Sequence, residues 1–177
     1  NRVSVLNVNG GAVELSKREI YAGLKPYPLG ISPHGDFAAI ASVGMGNGDA
    51  DTISLIDLKA VPPRVVDTVT VGQTPESLTV APDGKHIAFG SDRSGSMGIW
   101  VADSNGFNAV PLTSLGDSQY CSGPRWSPDG RLIAFVAKLA QDKTTFYVTS
   151  VEGGNPQPLS VGVSDWFLID QTRVNDF

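Results

Sequence analysis

The stretch from Leu78 to Phe89, LTVAPDGKHIAF, sets a Pro-Asp-Gly turn between two short apolar runs. Proline presets φ for the first turn position, aspartate bonds back to the turn backbone, and glycine takes the left-handed position. The same plan occurs upstream at Gly30 to Ala41, GISPHGDFAAIA, and downstream at Pro124 to Phe135, PRWSPDGRLIAF. The turns are therefore Pro33 with Gly35, then Pro82-Asp83-Gly84, then Pro128-Asp129-Gly130, with His34 where the other two copies carry aspartate. All of these are read as structural turn residues, so neither Asp83 nor Asp129 is assigned to catalysis.

Aligned on Pro33, Pro82 and Pro128, the copies lie 49 and 46 residues apart. A strand-turn-strand unit at that period marks the blade of a β-propeller. The expected fold class is all-β, with about three and a half four-stranded antiparallel sheets. Too few for a closed ring, they form a partial propeller or one completed by oligomerisation. Residues 1–162 make the repeat region, with repeats centred near 31–42, 78–90 and 124–136, and residues 163–177 make a non-repeat tail.

Working outward, Arg2 to Val8 alternates as a strand, and Asn9-Gly10-Gly11 supplies a hairpin turn into an outer strand over Ala12 to Tyr21. Lys25 to Gly30 reads as a crossing between units. Thr52 to Leu58, TISLIDL, is apolar on both faces, as expected of a strand packed between neighbouring sheets. Arg64 to Val71 reads as an outer strand; in the second and third units, strands at Ile99 to Ala102 and Thr145 to Ser150 each lead through a turn to a further segment, Ala109 to Thr113 and Pro156 to Ser160. No helical periodicity is sustained before residue 163.

The composition, 41% hydrophobic and 18% charged over 177 residues, is that of an ordinary globular chain. No apolar run is long enough for membrane insertion. A net charge of −5 with scattered Lys and Arg argues against a nucleic-acid partner. The single cysteine, Cys121, has no intramolecular disulfide partner and reads as a small half-buried residue leading into a strand. The chain opens directly on strand pattern without Met or leader, as expected of a segment of something longer.

Asn47, Asp49 and Asp51 alternate as in the first half of a Ca²⁺ loop, but Thr52 stands where that loop needs glycine and Leu58 where it needs glutamate. The reading is a connecting loop, with no metal and no cofactor expected. His34 and His86 lie about one repeat apart and lack a third ligand. Tyr120 and Trp126 are candidates for an interface, since aromatics anchor protein contacts; for Trp126, packing between sheets is the alternative. Arg93 and Arg125 fall near strand ends and are expected at a central channel. The nearest approach to a nucleophile elbow is GSMG at Gly95 to Gly98, which does not match, and no zinc, phosphate-loop or dinucleotide motif is present.

These residues resemble two related propeller repeats. Val69 to Ser91, VTVGQTPESLTVAPDGKHIAFGS, is similar to the YVTN-type repeat of bacterial seven-bladed propellers. From Ile99 onward, IWVADSNG, PLT, GPRWSPDGRLIAFVA and FYVTSVEGG resemble TolB-like and WD-like repeats. Together the two cover residues 2 to 160, and their motifs are turn and packing residues that specify fold rather than activity. The resemblance implies a non-catalytic module for protein binding or assembly, with a protein partner or a second copy completing a ring, in a periplasmic or extracellular setting. Two alternatives stay open: a metal-dependent lactonase-like hydrolase propeller, and the regulatory propeller of a larger prolyl oligopeptidase-type peptidase. The tail, GVSDWFLIDQTRVNDF, resembles the opening of MaoC-like dehydratase domains, whose catalytic residues would fall beyond Phe177; a recombined or designed join is the other reading.

Overall fold

The computed structural model describes residues 1–45, 48, 50–73, 75, 77–116, 118–139 and 144–159. The tail at 163–177, Asn47 and Asp49 lie outside the described residues. The chain opens with a hairpin of β1 (Arg2–Asn9) and β2 (Ala12–Tyr21), turning at Gly10 with φ 61°. Three antiparallel four-stranded sheets follow, each a simple meander in chain order. The first holds β3 (Pro26–Ile31), β4 (Phe37–Ser42), β5 (Thr52–Asp57) and β6 (Arg64–Thr70). The second holds β7 (Leu78–Val80), β8 (His86–Ser91), β9 (Gly98–Asp103) and β10 (Val110–Pro111). The third holds β11 (Ser118–Trp126), β12 (Leu132–Leu139), β13 (Thr145–Ser150) and β14 (Gln157–Leu159).

Three elements differ from the sequence reading. The segment taken as a crossing, Lys25 to Gly30, instead supplies most of the strand β3. It tolerates Pro26 and Pro28 because it is an edge strand, bonded only to β4, with a register irregularity between Pro26 and Leu29. The outer strands of the second and third sheets are shorter than expected, at Val110–Pro111 and Gln157–Leu159. Pro111 has no N–H to donate, and β10 ends there.

Side-chain alternation then stacks the sheets face to face. On β4, Ala38 and Ile40 point back to the hairpin while Ala39 and Ala41 point on to the second sheet. On β8, Ile87 and Phe89 point back to the first sheet and Ala88 points on to the third. On β12, Ile133 and Phe135 point back to the second sheet. At both junctions between four-stranded sheets, large side chains (Ile87 and Phe89, Ile133 and Phe135) face the preceding sheet and meet alanines (Ala39 and Ala41, Ala88) that face the following one. Glycine completes the fit where backbones close in. A Cβ at Gly30 would lie 3.0 Å from Val80 Cγ2, and one at Gly90 would lie 3.0 Å from the Cys121 carbonyl oxygen. Phe89 and Phe135 are fully buried by this packing, and losing either ring would cost about 3–5 kcal/mol.

Candidate functional site

The three repeat turns lie in a row along one rim. A Cβ on Gly84 would sit 3.9 Å from Pro33 Cδ, and one on Gly130 would sit 3.9 Å from Pro82 Cδ. Gly35, Gly84 and Gly130 have φ of 66°, 67° and 72°, the left-handed region that glycine enters without steric cost. In each turn the glycine N–H donates back three residues, to the carbonyl of Ser32, Ala81 or Ser127.

The turns are closed by different side chains. In the first, where His34 replaces aspartate, the Ser32 hydroxyl accepts from the N–H groups of Asp36 and Phe37 at 2.9 and 3.1 Å. In the second, Ala81 has no hydroxyl, and Asp83 Oδ1 accepts from the Lys85 N–H at 2.8 Å. The third uses both: Ser127 Oγ donates to Asp129 Oδ1 at 2.6 Å, which also accepts from the Arg131 N–H at 3.0 Å. These bonds set the charges. Burial pushes the Asp83 carboxyl up, but the Lys85 N–H and His86 outweigh it and hold it below the usual aspartate value. For Asp129 the Ser127 hydroxyl and the Arg131 N–H hold it low.

Between the second and third turns lies a recess of about 250 Å³, with Pro82, Val101 and Trp126 as apolar walls and Asp83, His86 and Asp129 at its polar rim. His86 Nδ1 stands 2.9 Å from Asp83 Oδ2, its Nε2 stands 3.9 Å from Asp103 Oδ1, and its ring lies 6.5 Å from that of Trp126. The recess depends on two sheets meeting, so sequence reading missed it. The arrangement offers an anionic rim above apolar walls, a surface for contact with donor groups. Among the described residues no group of three His, Cys, Asp or Glu side chains is placed to hold a metal ion.

The other candidates are dispersed. Asp51 is buried, its backbone bonded to the Gly72–Val71 segment and its carboxylate against Gly44, where a Cβ would not fit. Tyr120 lies on β11 opposite Lys138 and is 38% exposed, whereas Trp126 packs against the core between the second and third sheets. The two aromatics do not form a joint patch. Arg93 is at the seam of the first and second sheets, its guanidinium 4.9 Å from the Trp100 ring centroid and 5.8 Å from that of Phe89, and bonded to the Thr70 carbonyl. It binds two sheets together. Arg125 is exposed on β11 and bonds the Pro124 carbonyl. Cys121 is fully buried within β11 rather than half-buried at its start, and burial pushes its thiol up to about 12.

No helix among the described residues is long and apolar enough to cross a membrane. No family model matches the chain. It is 34% identical over 86 residues to the uncharacterized peptidase YuxL of Bacillus subtilis, covering 45% of this chain and 13% of that protein. It is 38% identical over 68 residues to the Tol-Pal system protein TolB of Methylobacillus flagellatus, covering 38% of this chain and 15% of that one. A putative TolB from Agrobacterium tumefaciens superimposes with a TM-score of 0.62 at 22% identity, over 84% of this chain and 52% of that one. The β-propeller domain of the Trilobed protease from Pyrococcus furiosus superimposes with a TM-score of 0.56 at 21% identity, over 76% and 42%. The chain thus spans about half of these solved structures and a much smaller share of the curated relatives. Its fold is that of β-propeller blades.

Proposed function

We propose that the chain is a non-catalytic stretch of a longer β-propeller that binds a protein partner or assembles with further blades. The observation that carries this reading is the sheet count: among the described residues three four-stranded sheets and one two-stranded hairpin stack as an arc, too few for a closed ring. The turn carboxylates support it, because Asp83 and Asp129 accept hydrogen bonds from their own turns. The YVTN-type assignment of the first half, the TolB-like and WD-like assignment of the second, the division at residues 162 and 163, and a periplasmic or extracellular setting belong to the same proposal. So does the turn rim as a contact surface, with the recess beside Trp126 as its anchor, and, as a separate contact at the far end of β11, Tyr120.

The test pairs two assays on the purified chain. Lactones and peptidyl anilides, with and without Ca²⁺ or Mn²⁺, are expected to show no turnover above buffer. A photo-crosslinking residue at Tyr120 or Lys85 is expected to trap discrete protein adducts from a periplasmic extract. Metal-stimulated turnover, or no adduct from either position, overturns the reading.

A second reading rests on the peptidase relative at 34% identity. There the chain is a regulatory propeller, inert alone, whose rim faces a hydrolase domain; adducts formed only with such a domain would favour it.

A further inference from the structure

The seam between the first and second sheets is closed by a turn, and the seam between the second and third is not. In the first seam the turn after β9 packs so closely on the first sheet that a Cβ at Gly106 would collide with Val69 and lie 3.6 Å from Leu55 Cδ1. Leu55 beneath it is 2% exposed. The counterpart turn follows β13, where the Gly153 N–H donates to the Ser150 carbonyl as that of Gly106 donates to the Asp103 carbonyl. Nothing lies within 4 Å of a Cβ at Gly153 or Gly154. The residue left uncovered is Val101, which pairs with Ala88 as Leu55 pairs with Ala39 one repeat earlier. Val101 is half-buried and, with Trp126 and Val151, walls the recess at the turn rim. Its cross-strand partner on β10, Val110, shares its face, is 54% exposed, and carries the same wall outward. The recess is thus one end of an open apolar cleft between two sheets.

The edges of the cleft are acidic. Asp83 and Asp129 stand at the rim, Asp103 Oδ1 lies 3.9 Å from His86 Nε2, and Glu152 follows Val151 in the turn after β13. Asp83 and Asp129 are held below the usual aspartate value and stay ionised at neutral pH. Lys85 and Arg131, each directly after its turn, are the cations of this rim, so carboxylates outnumber them. The recess, about 250 Å³, is smaller than the ~300–1,000 Å³ pockets that enclose whole small molecules, and it suits one side chain whose main chain stays outside. We propose that this cleft binds an extended peptide segment of a partner protein in which an apolar residue is flanked by lysine or arginine. The apolar side chain enters between Val101 and Trp126, and the basic ones reach Asp83, Asp129 and Glu152. This rests on the reading of the turn rim as a contact surface and names the chemistry that surface accepts.

The probe is a short labelled peptide alternating leucine and lysine, titrated against the whole chain, with leucine–glutamate and serine–lysine peptides as controls. The leucine–lysine peptide is expected to bind saturably, more weakly at high salt, and to shift the Trp126 indole N–H resonance; that nitrogen is buried and has no hydrogen-bond partner among the described residues. Both controls bind far more weakly. Asp83→Asn with Asp129→Asn keeps the oxygens that accept from the turns and lowers affinity roughly tenfold. Val151→Phe fills the recess and abolishes binding, and Val110→Ser, at an exposed position, weakens it without touching the core. Equal binding of the three peptides, an unmoved Trp126 signal, or undiminished affinity in the aspartate variant overturns the proposal. Binding seen only after residues 163–177 are removed also overturns it, since the cleft would then belong to the chain's own tail; a dimer dissolved by Val110→Ser would give it to a second copy. Absent peptide binding together with discrete crosslinks at Lys85 sinks this inference alone, whereas loss of both sinks the contact-surface reading as well.

Discussion

Gly130 rests on Pro82: a Cβ at the third turn would meet the proline ring of the second at 3.9 Å, an ordinary van der Waals contact. Gly84 meets Pro33 at the same distance. The turns are thus in register from sheet to sheet, with room for a methyl group at each junction. The need for glycine there comes from backbone conformation rather than from crowding.

Gly130→Ala and Gly35→Ala are accordingly expected to cost about the same, roughly 1–2 kcal/mol each, although nothing lies within 4 Å of a Cβ at Gly35. Urea unfolding measures both. A much larger loss at Gly130 than at Gly35 would show that packing between turns dominates instead.

At Gly90 the opposite holds. Its φ is ordinary, but a Cβ would meet the Cys121 carbonyl oxygen at 3.0 Å and Ser77 Oγ at 3.2 Å. Gly90→Leu must push the second and third sheets apart, at a cost of about 1–3 kcal/mol or more. Gly11→Leu, where nothing lies within 4 Å, is the control and should be close to neutral. Equal stability of the two variants in denaturant titrations would contradict the close approach.

Arg93→Ala removes the guanidinium from the faces of Trp100 and Phe89 and is expected to cost about 0.5–1 kcal/mol. Arg93→Lys should recover part of this, since an ammonium keeps the charge but loses the planar stacking. Chemical denaturation resolves the difference; a neutral alanine variant would show that the stack contributes nothing.

Cys121 makes stability fall in alkali. Burial raises its thiol from 9.0 to about 12, opposed by a hydrogen bond with Thr113. Between those values the unfolded chain releases a proton that the folded chain retains, so stability declines as pH rises from 9 toward 12. Cys121→Ala should flatten this decline relative to wild type, and a disulfide reagent at pH 8 should label the native thiol far more slowly than the unfolded one. Rapid native labelling would show that the thiol is reached without unfolding.

The turns were legible in the residues because their causes are local. Pro82, Asp83 and Gly84 act on a backbone within a few residues of themselves, and the substitution of His34 is met by Ser32 two residues away. The inner strand β3 was not, since Pro26 and Pro28 argue against a strand unless it is known to lie at an edge. Arg93 was read as facing a channel because register alone does not reveal that the Thr70 carbonyl stands across the seam to accept from its guanidinium.

By itself, then, the sequence determined the repeat, its turns and the alternation that makes each sheet two-faced, all of which follow from short-range backbone and side-chain preferences. Only the tertiary structure decided which faces meet. It set the recess beside Trp126, the burial of Cys121, and the contrast between Leu29 and Leu78. Those two leucines occupy the same place in the repeat, and their exposure differs because Leu78 has an inner strand packed beside it and, among the described residues, Leu29 has none.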